Sequence, residues 1–449
     1  MRLEKLEILN FRCFERAEWE FVPQVNLVVG DNGSGKTAIL DALALGLGAF
    51  TAPLGAPYPR EKPIGVLDDE ARLILDDAVR IVSYDKGGVP TREPQFPLEL
   101  RLNAQIDAYS DVLWGRTYLA TRHWDDLWRG AANIGLMLRD GVQAGQDGTL
   151  PLVAYYRCQR LCTSDNLIFQ SPRSKGPGSR LDGYADCLEA SINQSDFQGW
   201  FRRLEFASMQ RSETFGVLEG VRQAIIGCTE DVTNVTFDSL ENELLFQFND
   251  GRELPFRMLS DGYRNIVSLI ADIAYRAAIL NPQFEASAPH KTPGVVLIDE
   301  IDLHLHPTWQ RVVIGKMIQT FPEIQFIMTT HAPLIIQSLE ASSHAQLINL
   351  DPGLSSEFRH KSPEEIYEEN QGIEHIERSA RFRQMVETAA EYYKTLDQVP
   401  SASPERIEQL KSRLDELMLP FSDEPAYVAF LEMHREANPN TARSVNASH

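Results

Sequence analysis

The chain has 449 residues, of which 43% are hydrophobic, 24% charged and 9% aromatic. These values are typical of globular proteins and exclude a fibrous or wholly disordered chain, and the length suggests about two to four structural units. The 43 basic and 64 acidic residues give a net charge of −21, which argues against a broad electrostatic surface for nucleic acid or an anionic membrane. A local basic patch remains compatible with this charge.

The cysteines and the hydropathy pattern exclude further classes of protein. The five cysteines are too sparse for a disulfide framework, and no CxxC or Cys/His spacing indicates a zinc site. The first residues, MRLEKLEILNFRCFE, lack the apolar core of a signal peptide, and no run of 18 apolar residues occurs. We therefore expect a cytoplasmic protein without a membrane partner.

The amino-terminal residues predict two strands and a helix around a glycine-rich turn. Residues 2–14 alternate apolar and polar side chains, which predicts an edge strand. Residues 25–29, VNLVV, form the continuous apolar run that is typical of a strand buried on both faces. A helical pattern over 38–47 follows the turn.

The middle of the chain predicts a second, smaller sheet and a set of helices. The pattern over 114–138 is helical and aromatic, and further helices are predicted between about 184 and 226. Strands are predicted at 80–83, 98–106, 152–156, 232–237 and 244–248, the last two as a hairpin-like pair.

The later segments predict a largely parallel α/β sheet. Residues 262–280 form a strongly amphipathic helix. Two short apolar runs follow, at 294–298 and 325–328, with a helix between them at about 307–320. Strand–helix–strand order around a glycine-rich turn is typical of such a sheet.

The glycine-rich turn itself, residues 30–37 (GDNGSGKT), fits the phosphate-binding pattern G-x-x-x-x-G-K-[ST] between a buried strand and a helix. Its glycines allow successive backbone N–H groups to point at phosphate oxygens, and the positive helix end faces the same charge. Lys36 would bridge the β- and γ-phosphates of ATP, and the Thr37 hydroxyl would ligate Mg²⁺. The predicted nucleotide contacts here are Asn32, Gly33, Ser34, Gly35, Lys36, Thr37 and Ala38.

Polar clusters follow two of the other predicted strands. Asp299 and Glu300 follow the run at 294–298, where Asp299 would hold Mg²⁺ and Glu300 would polarise the attacking water. His331 follows the strand at 325–328 and suits a sensor of the γ-phosphate. Residues 259–265, LSDGYRN, precede the amphipathic helix, which Ser260 is able to cap.

Taken in order, these four motifs resemble those of ABC-class ATPases of the RecF-like, SMC-like and OLD-like branch. The resemblance implies an α/β P-loop head with a mixed central sheet, a smaller antiparallel sheet, a helical subdomain and a helical carboxy-terminal extension. It also implies a homodimer or higher oligomer in which Ser260 and Gly262 contact the nucleotide of the facing protomer. Gln159, at the position of a Q-loop, would contact Mg²⁺ or water, and Arg12 would contact the nucleotide.

The arrangement of domains indicates which members of this branch the chain resembles. No long heptad arms and no nuclease motif are present. We predict an ATPase head at 1–350, with a helical insert at about 107–226, and a partner-binding helical extension at 351–449. This architecture is similar to that of the stand-alone ATPases of bacterial anti-phage systems, above all the Septu ATPase and its retron-associated relatives, which work with a separately encoded HNH nuclease.

Two alternatives stay open at this point. A RecF-like clamp would bind DNA or RNA through a basic strip, for which Arg173, Lys175 and Arg180 are candidates. A scaffold that binds ATP and scarcely hydrolyses it is the third hypothesis.

Overall fold

The computed structural model describes residues 1–55, 78–86, 89–107, 109–120, 124–158, 178–189, 192, 194–229 and 231–371, and then only 388, 391–392, 395, 406 and 408–413. The chain divides into two compact units, Met1–Gly372 and Ile373–His449. The strands and helices below belong to the first unit. In the second unit, residues 408–413 are helical, and the predicted extension as a whole stays a prediction.

The strands of the first unit are β1 (Arg2–Phe11), β2 (Phe14–Glu20), β3 (Val25–Val29), β4 (Ile81–Lys86), β5 (Val89–Pro94), β6 (Leu98–Ile106), β7 (Tyr109–Tyr118), β8 (Trp124–Arg129), β9 (Leu152–Tyr156), β10 (Val232–Asp238), β11 (Glu243–Phe248), β12 (Glu253–Pro255), β13 (Gly294–Ile298), β14 (Ile324–Thr329) and β15 (Ala345–Asn349).

The helices are α1 (Lys36–Thr51), α2 (Gly130–Gln143), α3 (Gln194–Arg211), α4 (Gly216–Cys228), α5 (Asp261–Leu280), α6 (Ala288–Lys291), α7 (Pro307–Gln310), α8 (Val313–Thr320), α9 (Pro333–Ser338) and α10 (Pro363–Glu365). No helix in the described ranges is both long enough and apolar enough to cross a membrane.

The central sheet has the strand order β15-β3-β14-β13-β9, and every described pair runs parallel. All residues of β3, β9, β13 and β14 are buried, as the continuous apolar runs predicted. Helix α5, one of the elements around this sheet, buries its apolar stripe, and its predicted range is confirmed to within one residue. The α/β class is therefore confirmed.

An antiparallel sheet of order β2-β1-β6-β7-β8 accompanies the central one. It also has five strands, and the smaller antiparallel sheets are β10-β11-β12 and β4-β5. The prediction that residues 2–14 form an edge strand is wrong, because β1 pairs with β2 on one side and β6 on the other. Because β1 makes hydrogen bonds to a strand on each side, its alternation of apolar and polar residues does not mark it as an edge strand.

The helical prediction over 114–138 is also wrong for its first half. Residues 114–118 belong to β7 and residues 124–129 form β8, and the helix α2 begins only at Gly130. Trp114 is buried and donates from its indole nitrogen to the carbonyl of Gly46, 2.9 Å away. A side chain at Gly115 would lie 2.7 Å from the Leu100 carbonyl of β6, so glycine permits this close pairing. The aromatic residues suit a strand as well as a helix, and tertiary pairing decides between them.

Residues 351–371, which the sequence assigned to the extension, belong to the first unit. Ile366 and Asn370 in this segment are wholly buried. A short helix starts after Ser362 with a capping box: Ser362 and Glu365 exchange side-chain and backbone hydrogen bonds. The predicted functional boundary at residue 350 stays a prediction.

Candidate active site

The candidate site lies where the parallel strands of the central sheet end. In parallel strands the carboxyl ends meet at one edge, which is where ligands bind in open α/β sheets. The residues that directly follow the five strands here are Gly30 after β3, Arg157 after β9, Asp299 after β13, Thr330 after β14 and Leu350 after β15. The predicted phosphate turn, carboxylates and histidine loop are thus brought to one edge.

The phosphate turn owes its shape to its glycines. Gly33 and Gly35 have φ values of 86° and 105°, a region that favours glycine. A side chain at Gly35 would lie 2.5 Å from the ring of Phe14, so no larger residue fits there. Helix α1 begins at the next residue, Lys36, and its first N–H groups have no partner within the helix. The turn can therefore present backbone donors to an anion.

Lys36 lies against the turn that precedes it. Its Nζ donates to the carbonyls of Gly30 and Asp31, at 2.7 and 2.8 Å. Burial lowers the pKa of Lys36, and the nearby carboxylates, Asp351 first among them, act in the opposite direction. The Ser34 Oγ is buried without a hydrogen-bond partner among the described residues. A cation and an unpaired hydroxyl at this turn fit a phosphate group.

Asp299 connects three loops of the site. Its carboxylate accepts from the hydroxyl of Thr37, at 3.0 and 3.2 Å, and from the hydroxyl of Thr329, at 2.7 Å. The Asp299 backbone N–H in turn donates to Tyr156 at the end of β9, at 2.8 Å. A carboxylate and a hydroxyl are the oxygen ligands that Mg²⁺ prefers, so Thr37 and Asp299 fit a magnesium ion.

Glu300 is held in an unusual backbone conformation. Its φ is 50°, in the left-handed region that costs energy for a residue with a side chain. The Thr329 hydroxyl accepts from the Glu300 N–H at 2.8 Å and so stabilises this conformation. Such strain occurs at functional sites, where it aims a side chain.

His331 is fixed through its backbone. Its carbonyl accepts from the Nε2 of Gln371 at 2.8 Å, and the residue before it, Thr330, bonds to the Asp302 carboxylate and to the N–H of Ala332. The His331 ring makes no hydrogen bond to the described part of the chain. It is thus available to a ligand at the sheet edge.

The LSDGYRN segment contacts the loop that follows Asp299. Ser260 caps α5 by accepting from the Tyr263 N–H at 3.4 Å, as predicted. A side chain at Gly262 would lie 2.6 Å from the carbonyl of His304, and Asn265 donates to the carbonyl of Leu303 at 2.6 Å. Gly262 is therefore required by packing within the chain, in addition to the contact in trans that the resemblance implies.

Arg12 lies beside the first helix rather than in open solvent. Its guanidinium pairs with the buried carboxylate of Asp41 on α1 at 2.6 Å, and Arg157 pairs with the same carboxylate at 2.6 Å. Tyr155 donates to Asp41 at 2.8 Å, and burial together with this carboxylate raises the pKa of the Tyr155 hydroxyl. Two cations on one carboxylate give this cluster a net positive charge.

Several candidates lie outside the described residues, namely Gln159, Arg173 and Lys175. The third candidate for a basic strip, Arg180, is described and serves the fold. Its guanidinium donates to the carbonyls of Leu280, at 2.8 Å, and Gln146, at 3.1 Å. These contacts reduce its availability to a nucleic acid phosphate.

Sequence reasoning missed Asp351, which follows β15. Its carboxylate accepts from the backbone N–H of Asp31 in the phosphate turn at 2.8 Å. The signal was present, because the short run AQLIN ends in a Leu-Asp-Pro-Gly turn that resembles the end of a strand. That run was not predicted as a strand, and Asp351 was therefore not placed at the sheet edge.

Comparison with known protein families shows to which family the chain belongs. The family model described as "AAA domain, putative AbiEii toxin, Type IV TA system" matches residues 25–337. The match runs from β3 into α9 and includes Lys36, Ser260, Asp299 and His331. The chain belongs to this AAA-domain family.

Individual relatives of this AAA-domain protein agree with the resemblance stated from the motifs. It is 23% identical over 404 residues to the retron Vc95 probable ATPase of Vibrio cholerae serotype O1 biovar El Tor, with 78% of this chain and 74% of the relative covered. It is 24% identical over 406 residues to the retron Ec83 probable ATPase of Escherichia coli, with 76% and 71% covered.

A third relative is the Septu protein PtuA of Bacillus mycoides strain KBAB4. The identity is 29% over 345 residues, which cover 75% of this chain and 39% of the relative. The predicted resemblance to ABC-class ATPases of Septu and retron-associated systems is thereby confirmed.

Proposed function

We propose that this protein is a Mg²⁺-dependent ATPase of an anti-phage defence system. The observation that carries the proposal is the hydrogen bond of the Thr37 hydroxyl to the Asp299 carboxylate at 3.0 Å, one residue from the buried Lys36. A lysine, a hydroxyl and a carboxylate at the end of a parallel sheet are the groups that phosphoryl transfer from ATP requires. The names of the retron relatives support the same activity.

Each group has a distinct role in this proposal. The backbone of residues 33–38 and the Lys36 ammonium bind the β- and γ-phosphates. Thr37 and Asp299 would hold Mg²⁺, which supplies neutralising charge at the phosphate oxygens when bound. Glu300 orients the attacking water and accepts its proton, and the His331 ring donates to the γ-phosphate.

A second copy of the chain completes the site in our proposal. Ser260 stands at the N-terminus of the 20-residue helix α5, where backbone N–H groups and the helix dipole favour an anion. Loop residues 303–305, which follow Glu300, pack against the same helix end. Closure of two copies around ATP would thus bring Ser260 of one copy to the phosphates of the other.

The carboxy-terminal region is proposed to hold a separately encoded HNH nuclease. The amphipathic pattern over 407–417 supports a partner-binding helix, and its residues 408–413 are helical. Co-purification of a neighbouring-gene nuclease should be lost when the chain is ended at residue 372. Retention of the nuclease by the shortened chain would remove this part of the proposal.

ATP hydrolysis is measured as phosphate release from the wild-type chain, with Mg²⁺ and with EDTA. The same measurement with Mg²⁺ is made on the variants Lys36→Ala and Glu300→Gln. We expect turnover with Mg²⁺, none with EDTA, and loss in both variants. Calorimetry with Mg-ATP provides an independent measurement of binding. No heat and no phosphate release by the full chain would contradict the proposed function.

A further inference from the structure

Residues 349–371, which we call the strap, connect two loops of the candidate site. The strap begins at the last residue of β15 and ends just before the boundary of the first unit at Gly372. The sequence motifs assign no role to it. Its two ends contact different loops of the candidate site.

The first end lies on the phosphate turn. Asp351 accepts from the Asp31 N–H at 2.8 Å, and its own N–H donates to the Asn349 side chain at 3.1 Å. A side chain at Gly30 would approach Leu350 to 3.2 Å, so the chain packs closely against the start of this turn. The strap therefore lies against the turn at the Asp351 carboxylate and at the Leu350 side chain.

The two ends of the strap are joined to each other. Asn349 donates to the Asn370 carbonyl at 2.8 Å, and the wholly buried Asn370 donates to the carbonyls of Ser355 and Glu357 at 2.6 and 3.0 Å. Ile366, also wholly buried, anchors the middle. Buried hydrogen bonds of this kind are costly to break, so they hold the two ends of the strap together.

The second end lies on the histidine loop. Gln371 donates from Nε2 to the His331 carbonyl at 2.8 Å. The neighbouring Gln337, on α9, makes a comparable bond to the Lys361 carbonyl at 3.3 Å but does not contact His331 through it. The two glutamines therefore form a matched pair, of which only one reaches the histidine loop.

We propose that Gln371 is a positioning residue for His331, and that the strap couples the histidine loop to the phosphate turn. This inference rests on the proposed ATPase function. It deepens that function by naming a residue outside the four motifs that sets the position of the catalytic histidine. The position of His331 then depends on two contacts, that of its ring with the γ-phosphate and that of its carbonyl with Gln371 of the strap.

The test compares Gln371→Met with Gln337→Met in the full chain, since methionine keeps the length of the side chain and removes its donor. Loss of one hydrogen bond to a catalytic loop is expected to lower kcat by about fivefold to tenfold in Gln371→Met, with KM for ATP within about twofold. Gln337→Met should keep both constants. A kcat within about twofold of wild type in Gln371→Met, or an equal loss in both variants, would overturn the inference.

Hydrogen exchange gives a readout that does not depend on turnover. Amides in residues 329–333 should exchange faster in Gln371→Met than in Gln337→Met without nucleotide, because the His331 carbonyl has lost its donor. Equal exchange in the two variants would refute the positioning role. If the wild-type chain hydrolyses ATP while the variants do not differ, only the strap inference fails; if it does not hydrolyse ATP, the exchange comparison still decides the strap.

Discussion

The hydroxyl of Thr37 donates to the carboxylate of Asp299 at 3.0 Å, although 262 positions separate the two residues. The same carboxylate accepts from Thr329, which also holds the backbone of Glu300. The loops after β3, β13 and β14 are therefore connected to one another by these hydrogen bonds. Preorganised groups of this kind lower the cost of positioning charge during phosphoryl transfer.

Replacement of Lys36 by alanine should weaken binding of Mg-ATP by at least about tenfold, because a buried cation at the phosphates is removed. Calorimetric titration measures the dissociation constant. Lys316→Ala is the matched control, since Lys316 also donates to a backbone carbonyl, that of Gly227 at 3.3 Å, away from the sheet edge. Unchanged affinity in Lys36→Ala would contradict the assignment of the phosphate turn.

Glu300→Gln should retain nucleotide and lower kcat by about 100-fold or more, because the amide is not able to accept the proton of the attacking water. Phosphate release and nucleotide titration on the same preparation separate the two effects. Glu253→Gln serves as a control, since the Glu253 side chain lies on β12 and accepts from Gln247 at 2.9 Å. Normal turnover in Glu300→Gln would exclude the proposed role.

Ser260→Asp should keep the cap of α5 and abolish hydrolysis, because aspartate also caps helices while its charge repels a phosphate from the facing copy. Mixing this variant with Lys36→Ala should restore up to about a quarter of wild-type turnover, since half of randomly formed dimers would contain one intact site of two.

The control for the mixing experiment is Ser179→Asp, which alters another helix-capping serine. It should hydrolyse ATP at the wild-type rate. A mixture of Ser260→Asp and Lys36→Ala that stays inactive would argue against action of Ser260 in trans.

Stability should fall at alkaline pH through Cys228. Burial raises the pKa of this thiol from 9.0 to about 11, so the unfolded chain releases the proton at lower pH than the folded one. Its contribution is fully present below pH 9 and is lost as the pH rises through 11, an effect of roughly 2–3 kcal/mol. Chemical unfolding at pH 8 and pH 11 measures the change.

The thiol variants distinguish this effect from other alkaline titrations. Cys228→Ser should lose less stability than wild type between the two pH values, whereas Cys158→Ser, at an exposed position, should match wild type. Equal pH dependence in all three proteins would contradict the assignment to Cys228.

Local patterns were sufficient for much of the fold around the site. The buried strands at 25–29 and 294–298 are continuous apolar runs, and the turn at 30–37 has the spacing of the phosphate-binding pattern. Strand order and register were beyond these patterns. The edge-strand prediction for residues 2–14 was wrong because pairing with Leu98–Ile106 depends on residues about 90 positions away.

The sequence by itself determined which groups this protein offers: a glycine turn with Lys36 and Thr37, two acids after a strand, and a histidine after another. Tertiary structure alone decided that Asp351 and Gln371 contact those loops, since both belong to a polar segment without a motif. The physical reason is that motifs reflect constraints within a few residues of backbone. A single hydrogen bond between distant segments depends on the packing of the whole sheet.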